Sequence, residues 1–146
     1  MDSPPTRVLI VAQRTAAAPE LIEAVRERAA RGACSFTLVV PAIAHGLHRV
    51  VNPEETPPDE AQAILDHALP LLSEAAGSDV AGVIGSPEPL TAVMDEVNRS
   101  GYDEIIVSTL PHRLSRWLRL DLPHKVGGLG LPVTTVTGRE REEAEA

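Results

Sequence analysis

Five short apolar runs, rich in β-branched residues, recur along the chain and are separated by segments with the apolar spacing of helices. Such runs are typical of strands that are buried on both faces of a parallel sheet. The pattern predicts strands over Arg7–Ala12, Cys34–Val40, Val80–Ile84, Tyr102–Thr109 and Pro132–Thr137. Strands that alternate with helices through short connections form right-handed βαβ units. We therefore expect an α/β fold: an open, mostly parallel five-stranded sheet with helices on both faces, a Rossmann-like α/β sandwich.

Four helical segments fill the gaps between the predicted strands. The first ends near Gly32, the second runs from Asp59 to Gly77, and the third opens at Ser86-Pro87 and ends before Gly101. The fourth, 114–129, is interrupted by Asp121-Leu122-Pro123, which predicts two short helices rather than one. Ligands of open α/β sheets bind beyond the carboxyl ends of the strands. We therefore expect a site among residues 12–18, 41–48, 84–88 and 108–116.

The length and composition indicate one globular domain. The chain has 146 residues, of which 43% are hydrophobic, so it can bury a substantial core. We expect a single domain over 7–138, a flexible N-terminus over 1–6 and a disordered charged tail over 139–146. Residues 42–58 form a long irregular connection, which is typical of a mobile or functional loop.

The charge balance and the single cysteine argue against several classes of protein. A formal net charge of −8 argues against nucleic acid or an anionic membrane surface as the partner. Cys34 has no second cysteine with which to form an internal disulfide, and the first residues lack the pattern of a signal peptide. No apolar run approaches the roughly 20 residues that a membrane-spanning helix needs. We expect a cytoplasmic protein.

The order of the elements resembles that of the universal stress protein family. The run Asp103–Thr109 and the closing segment Gly130–Thr134 carry the likeness, which covers roughly residues 7–137 at the level of layout. The resemblance implies a regulatory or stress-response binding module with the fold predicted above. It also implies a homodimer, because such proteins often pair their last strands across a two-fold axis. Here we expect the dimer interface at Val133, Thr134, Thr135 and Val136. The alternative is a monomer in which the charged tail shields this edge of the sheet.

One feature of the family is missing from this sequence. Its fourth strand leads into a glycine loop, G-x-x-G-x9-G-[ST], whose backbone amides bind the phosphates of ATP. The corresponding positions here are Ser108, Pro111, Asp121 and Leu122. Pro111 has no N–H to donate and Asp121 carries a negative charge, so both oppose anion binding there. We expect no standard ATP binding and no cofactor. Gln13 replaces the acidic residue that the family carries near the adenosine.

A basic segment follows the fourth predicted strand of this acidic chain. Arg113, Arg116 and Arg119 recur at three-residue spacing, and Ser115 is a candidate helix N-cap. Guanidinium groups suit phosphate and carboxylate oxygens, which favours a site for a small anionic ligand or a protein partner. The alternative is a solvated basic face that pairs with acidic neighbours. The predicted ligand contacts are Gln13, Ser108, Thr109, His112, Arg113, Ser115 and Arg116. Trp117 could stack on a ligand ring or lie in a dimer interface, but we expect it to pack its helix against the sheet.

Histidines supply a second hypothesis. His45 and His48 lie close together in the long connection, and His112 and His124 follow predicted elements at the same edge of the sheet. Four such residues could ligate a metal or act as acid and base in an enzyme that acts on a nucleotide or phosphorylated metabolite. No CxxC or HExxH pattern accompanies them. We therefore predict no metal site and no catalytic residue. Two alternatives stay open: an enzyme or metal-dependent protein that acts on a nucleotide or phosphorylated metabolite, and a module that binds a nucleotide in an altered pose.

Overall fold

The computed structural model describes residues 4–42, 57–111 and 115–138. Its strands are β1 (Thr6–Val11), β2 (Cys34–Pro41), β3 (Ala81–Gly85), β4 (Glu104–Thr109) and β5 (Val133–Thr137). Its helices are α1 (Pro19–Ala30), α2 (Pro57–Ala76), α3 (Pro89–Ser100), α4 (Arg116–Arg119) and α5 (Leu122–Gly127). The strands form one sheet in the order β3-β2-β1-β4-β5, and every neighbouring pair is parallel. The predicted α/β fold is confirmed.

Two helices begin at residues other than those predicted. α2 begins at Pro57, so Asp59 lies within its first turn and is not its N-cap. α3 begins at Pro89 after the N-cap Glu88, two residues beyond the predicted opening at Ser86-Pro87. Proline is tolerated throughout the first helical turn, so a segment with two prolines offers two possible starts. The division of the fourth helical segment is confirmed, because α4 and α5 are separate helices.

The sheet carries a hydrophobic core on each face. One core packs alternate residues of β1 and β2 against α1 and α2, and it includes Val8, Ile10, Leu21, Leu38 and Leu72. The other packs the opposite sides of the same strands against α3 and α5, and it includes Leu9, Val11, Val93, Ile105 and Val126. Side chains alternate across a strand, so one apolar run supplies both cores. This explains why β1 and β2 are apolar over most of their length.

An ion pair joins α1 to β4 at the edge of the first core. Arg28 donates two hydrogen bonds from Nε to Glu104, at 3.0 and 3.2 Å, and one from Nη2 at 2.6 Å. The hydrogen bonds from Arg28 lower the pKa of Glu104 below the usual carboxylate range. Their bidentate geometry fixes the position of the helix relative to the strand.

Candidate functional site

The topology opens a crevice between the carboxyl ends of β1 and β4. Both strands lie at the centre of the sheet, and the chain leaves β1 towards β2 on one side and β4 towards β5 on the other. Because the connections diverge there, they leave space above the strand ends, which is where open α/β sheets bind ligands. Residues Gln13 to Thr15 follow β1, and Ser108 to Leu110 span the end of β4 and the first residue after it.

A cavity of about 270 Å³ occupies this crevice. Its volume lies near the lower end of the range of small-molecule sites. Three segments line it: the turn after β1, the end of β4, and the start of α4. The lining residues are Gln13, Arg14, Thr15, Ser108, Thr109, Leu110, Ser115, Arg116 and Trp117, none of which is acidic.

Buried hydroxyl groups form the floor of the cavity. Thr15 Oγ1 and Ser108 Oγ are 2.5 Å apart, and both residues are almost completely buried. One hydroxyl donates to the other, so the acceptor's own proton remains available to a ligand. Thr109 is only 2% exposed, and its Oγ1 has no hydrogen-bond partner in the described structure. A buried polar atom without a partner is costly, so this hydroxyl is suited to bind a polar ligand atom.

Gln13 is fixed at the rim by a bond to the neighbouring strand. Its Nε2 donates to the carbonyl oxygen of Pro41, at the end of β2, over 2.9 Å. The carboxamide thereby ties the turn after β1 to the adjacent strand. Its Oε1 and its second amide hydrogen remain available for a neutral ligand group.

Two arginines give the site its charge. Arg14 follows β1, and Arg116 is the first residue of α4, and both are exposed. Arg26, Arg28 and Arg99 form ion pairs within the described residues, whereas Arg14 and Arg116 form none there. Unpaired cations beside buried hydroxyls favour an anion, because a guanidinium donates two parallel bonds to phosphate or carboxylate oxygens.

The start of α4 positions both Arg116 and Trp117. The Ser115 hydroxyl, buried at 4% exposure, accepts a hydrogen bond from the backbone N–H of Leu118 at 3.1 Å. This is the N-cap that the sequence predicted. Arg116 therefore leaves the first turn of the helix beside the cavity. Trp117 lines the cavity and packs against the second core, which is the packing that the sequence predicted.

The structure brings together five of the seven predicted contacts: Gln13, Ser108, Thr109, Ser115 and Arg116 all line one cavity. The other two, His112 and Arg113, lie outside the described residues. The sequence interpretation missed Arg14, Thr15 and Leu110 as individual contacts. Arg14 and Thr15 directly follow Gln13 in the first segment that the strand-end rule had selected, and that rule is the signal that could have identified them.

The histidine hypothesis gains no support from the described residues. His45 and His48 lie outside them, and His124 is exposed on α5. Within residues 4–42, 57–111 and 115–138, no three histidine, cysteine, aspartate or glutamate side chains are close enough together to hold a metal ion.

The positions that the sequence interpretation assigned to the family's glycine loop have structural roles in this fold. Ser108 pairs with Thr15, and Leu122 is a buried core residue. Asp121 adopts φ 60° and ψ 41°, the left-handed region that glycine enters most readily and that aspartate tolerates. The backbone conformation that favours glycine is therefore retained at residue 121, although the glycine is not. The Asp121 side chain makes no capping hydrogen bond.

Solved structures with this architecture are universal stress proteins. One, solved in complex with cAMP, is 17% identical, with 93% of this chain and 99% of that chain covered and a TM-score of 0.61. The chain has the fold of a universal stress protein. A universal stress protein from Archaeoglobus fulgidus gives a TM-score of 0.63 at 13% identity, covering 90% of this chain and 93% of that one. The universal stress protein from that organism in complex with dAMP gives a TM-score of 0.60 at 14% identity, covering 91% of this chain and 98% of that one.

Sequence comparison gives no match for this chain, whereas structure comparison does. The sequence matches no protein-family model and no curated protein. The likeness to universal stress proteins is therefore one of fold. Among the helices of the described residues, none combines the length and apolar character that crossing a bilayer would require.

Proposed function

We propose that this chain is a universal-stress-protein-like binding module that takes a small phosphorylated ligand in the crevice between β1 and β4. One observation carries the proposal: among the described residues, the cavity lining combines the unpaired Arg14 and Arg116 with buried hydroxyls and includes no acidic side chain. Each of these features favours an anion with several acceptor oxygens. The unpartnered hydroxyl of Thr109 supplies a further group that a ligand would satisfy.

The neighbours in fold support a ligand of the nucleoside monophosphate class. Two universal stress proteins with this architecture were solved with cAMP and with dAMP. Each of these ligands carries one phosphate group, and a cavity of about 270 Å³ suits a compact ligand better than an extended one. We propose that standard ATP binding has been lost, because Pro111 and Asp121 replace loop glycines whose amides would hold the additional phosphates.

Titration calorimetry of the wild-type chain and an arginine variant tests the proposal. The titrants are AMP, cAMP, inorganic phosphate and ATP. We expect AMP to bind and Arg116→Ala to weaken it roughly 10- to 100-fold, which corresponds to the loss of a hydrogen bond to a charged group. ATP should bind no more tightly than AMP.

Arg119→Ala provides the matched control for this experiment. Arg119 is exposed on the same short helix as Arg116 but does not line the cavity. Its replacement should leave the affinity for AMP unchanged. Equal weakening by both substitutions would indicate a general charge effect, and no weakening by Arg116→Ala would place the ligand elsewhere.

The proposed module is a homodimer that pairs through β5. This strand lies at the edge of the sheet and is hydrogen-bonded only to β4 within the described residues. Thr134 and Thr135 are exposed, whereas Val133 and Val136 are half-buried. An exposed edge carries unpaired backbone donors and acceptors, and pairing with a second copy would satisfy them.

A further inference from the structure

A second, smaller cavity lies against the proposed ligand site. It measures about 50 Å³ and is enclosed by the start of α3, by α4 and by α5. Its lining residues are Glu88, Pro89, Leu90, Trp117, Leu120, Leu122 and Lys125. Trp117 lines both this cavity and the ligand site. Trp117 is therefore a residue that the two spaces share.

The two spaces differ in chemical character. The ligand site is lined mainly by hydroxyls, an amide and two guanidinium groups. The smaller cavity is lined mainly by proline and leucine side chains, with one acidic and one basic residue at its margin. Trp117 thus borders both a polar space and an apolar one. A ligand that extends past it would need an apolar group on that side.

Local hydrogen bonds fix the short helix that carries Trp117. Ser115 caps its first turn through the N–H of Leu118. The N–H of Leu120 donates to the carbonyl of Arg116 at 3.0 Å, and the N–H of Asp121 donates to that of Leu118 at 3.0 Å. Trp117 therefore sits in one turn that is hydrogen-bonded at both ends. Its ring also packs against the second core, which includes the buried Leu122.

From this arrangement we infer that Trp117 determines ligand specificity by disfavouring phosphate esters that place a bulky apolar group beyond the ring. The inference rests on the proposed function, because it concerns the same site. On this inference, removal of the indole would join the two cavities and add the volume of the ring itself. The enlarged site then has an apolar end, which the wild-type site lacks on that side.

Affinities for phosphate, phenyl phosphate and 1-naphthyl phosphate test the inference. These probes keep one anionic group and increase only the apolar part. In the wild-type chain, naphthyl phosphate should bind no more tightly than phenyl phosphate. In Trp117→Ala, the ratio of naphthyl phosphate affinity to phosphate affinity should rise at least about tenfold, the scale on which apolar pockets discriminate between ligands.

Two further variants make the result decisive. Trp117→Phe retains an aromatic core residue and should raise the same ratio by a smaller factor, so the test survives if Trp117→Ala does not fold. Arg119→Ala lies on the same helix, lines neither cavity and should leave the ratio unchanged. The inference is wrong if the variants bind phosphate but keep the wild-type ratio. If wild-type protein binds neither phosphate nor AMP, the proposed function fails and the inference with it.

Discussion

At the residue scale, the site depends on hydroxyl groups buried where two parallel strands end. Thr15, Ser108 and Thr109 are each at most 4% exposed, yet each is polar. Burying such a group costs free energy unless it is hydrogen-bonded. Thr15 and Ser108 satisfy each other, whereas Thr109 Oγ1 has no partner among the described residues. The unsatisfied hydroxyl indicates a position where a ligand atom would add stability to the folded state.

The ion pair between Arg28 and Glu104 leads to a pH prediction. Because the hydrogen bonds from Arg28 lower the pKa of Glu104 in the folded state, the pair stabilises the fold above the unfolded carboxylate pKa of roughly 4.3. That stabilisation is lost as pH falls through the lower, folded pKa. Glu104→Gln should reduce the free energy of unfolding by about 1–2 kcal/mol at pH 7. The difference in unfolding free energy between the wild type and Glu104→Gln, measured by urea titration, should shrink towards zero at progressively lower pH.

A second ion pair on the same helix supplies the control. Glu23 and Arg26 are 3.5 Å apart, and both side chains are more than half exposed. Exposed pairs contribute little, so Glu23→Gln should leave the unfolding free energy nearly unchanged at every pH. A Glu104→Gln effect that did not depend on pH would contradict the electrostatic explanation.

At the element scale, the packing of α3 on the sheet depends on Gly85 at the end of β3. A Cβ atom at this position would lie 2.7 Å from the Cβ of Ala92 and 3.0 Å from Cγ2 of Val39. These distances are shorter than van der Waals contact, so Gly85→Ala must push α3 away from the sheet. We expect a loss of about 1–3 kcal/mol in unfolding free energy, measured by chemical denaturation.

Gly127→Ala is the matched substitution for Gly85→Ala. Gly127 ends α5, and no heavy atom would lie within 4 Å of an added Cβ. Alanine favours helix by up to about 1 kcal/mol over glycine, so this variant should be as stable as the wild type or slightly more stable. Equal losses in both variants would show that close packing at Gly85 is not the cause.

The elements show what the sequence could and could not predict. Apolar and β-branched runs marked all five strands, of which β1, β2 and β4 are largely buried and the edge strands β3 and β5 are more exposed. Helix starts were less certain, since paired prolines near Pro57 and Pro89 each allow more than one first turn. The site followed from the rule that ligands bind at strand ends, which brought Gln13, Ser108 and Arg116 together. The contact between Thr15 and Ser108 could not be predicted, because it depends on the lateral order of strands that are far apart in the chain.

At the scale of the whole molecule, the site and the remainder of the chain differ in charge. The chain carries a formal net charge of −8, whereas the described residues that line the crevice include two arginines and no acidic residue. Long-range attraction therefore does not draw an anion to this protein, and recognition depends on contacts within the crevice. This local basic site is consistent with a small ligand and offers little to a polyanion such as nucleic acid.

The proposed homodimer can be tested at the same scale. Sedimentation of the wild-type chain should give twice the monomer mass of 15.5 kDa. Replacing both Thr134 and Thr135 by lysine places like charges across the proposed two-fold axis, so the variant should sediment as a monomer. Thr91→Lys, on the exposed surface of α3, should remain a dimer. A monomeric wild type, or a dimeric double variant, would exclude pairing through β5.

The most direct test of ligand binding in the crevice is the thermal unfolding midpoint of the wild-type chain and Arg116→Ala in millimolar AMP. A ligand that binds only the folded state raises the midpoint, and saturation at 100 times its dissociation constant contributes about 2.7 kcal/mol. We predict that AMP raises the wild-type midpoint by several degrees and the midpoint of Arg116→Ala by much less. An unchanged wild-type midpoint, or the same rise in both proteins, would contradict a ligand site between β1 and β4.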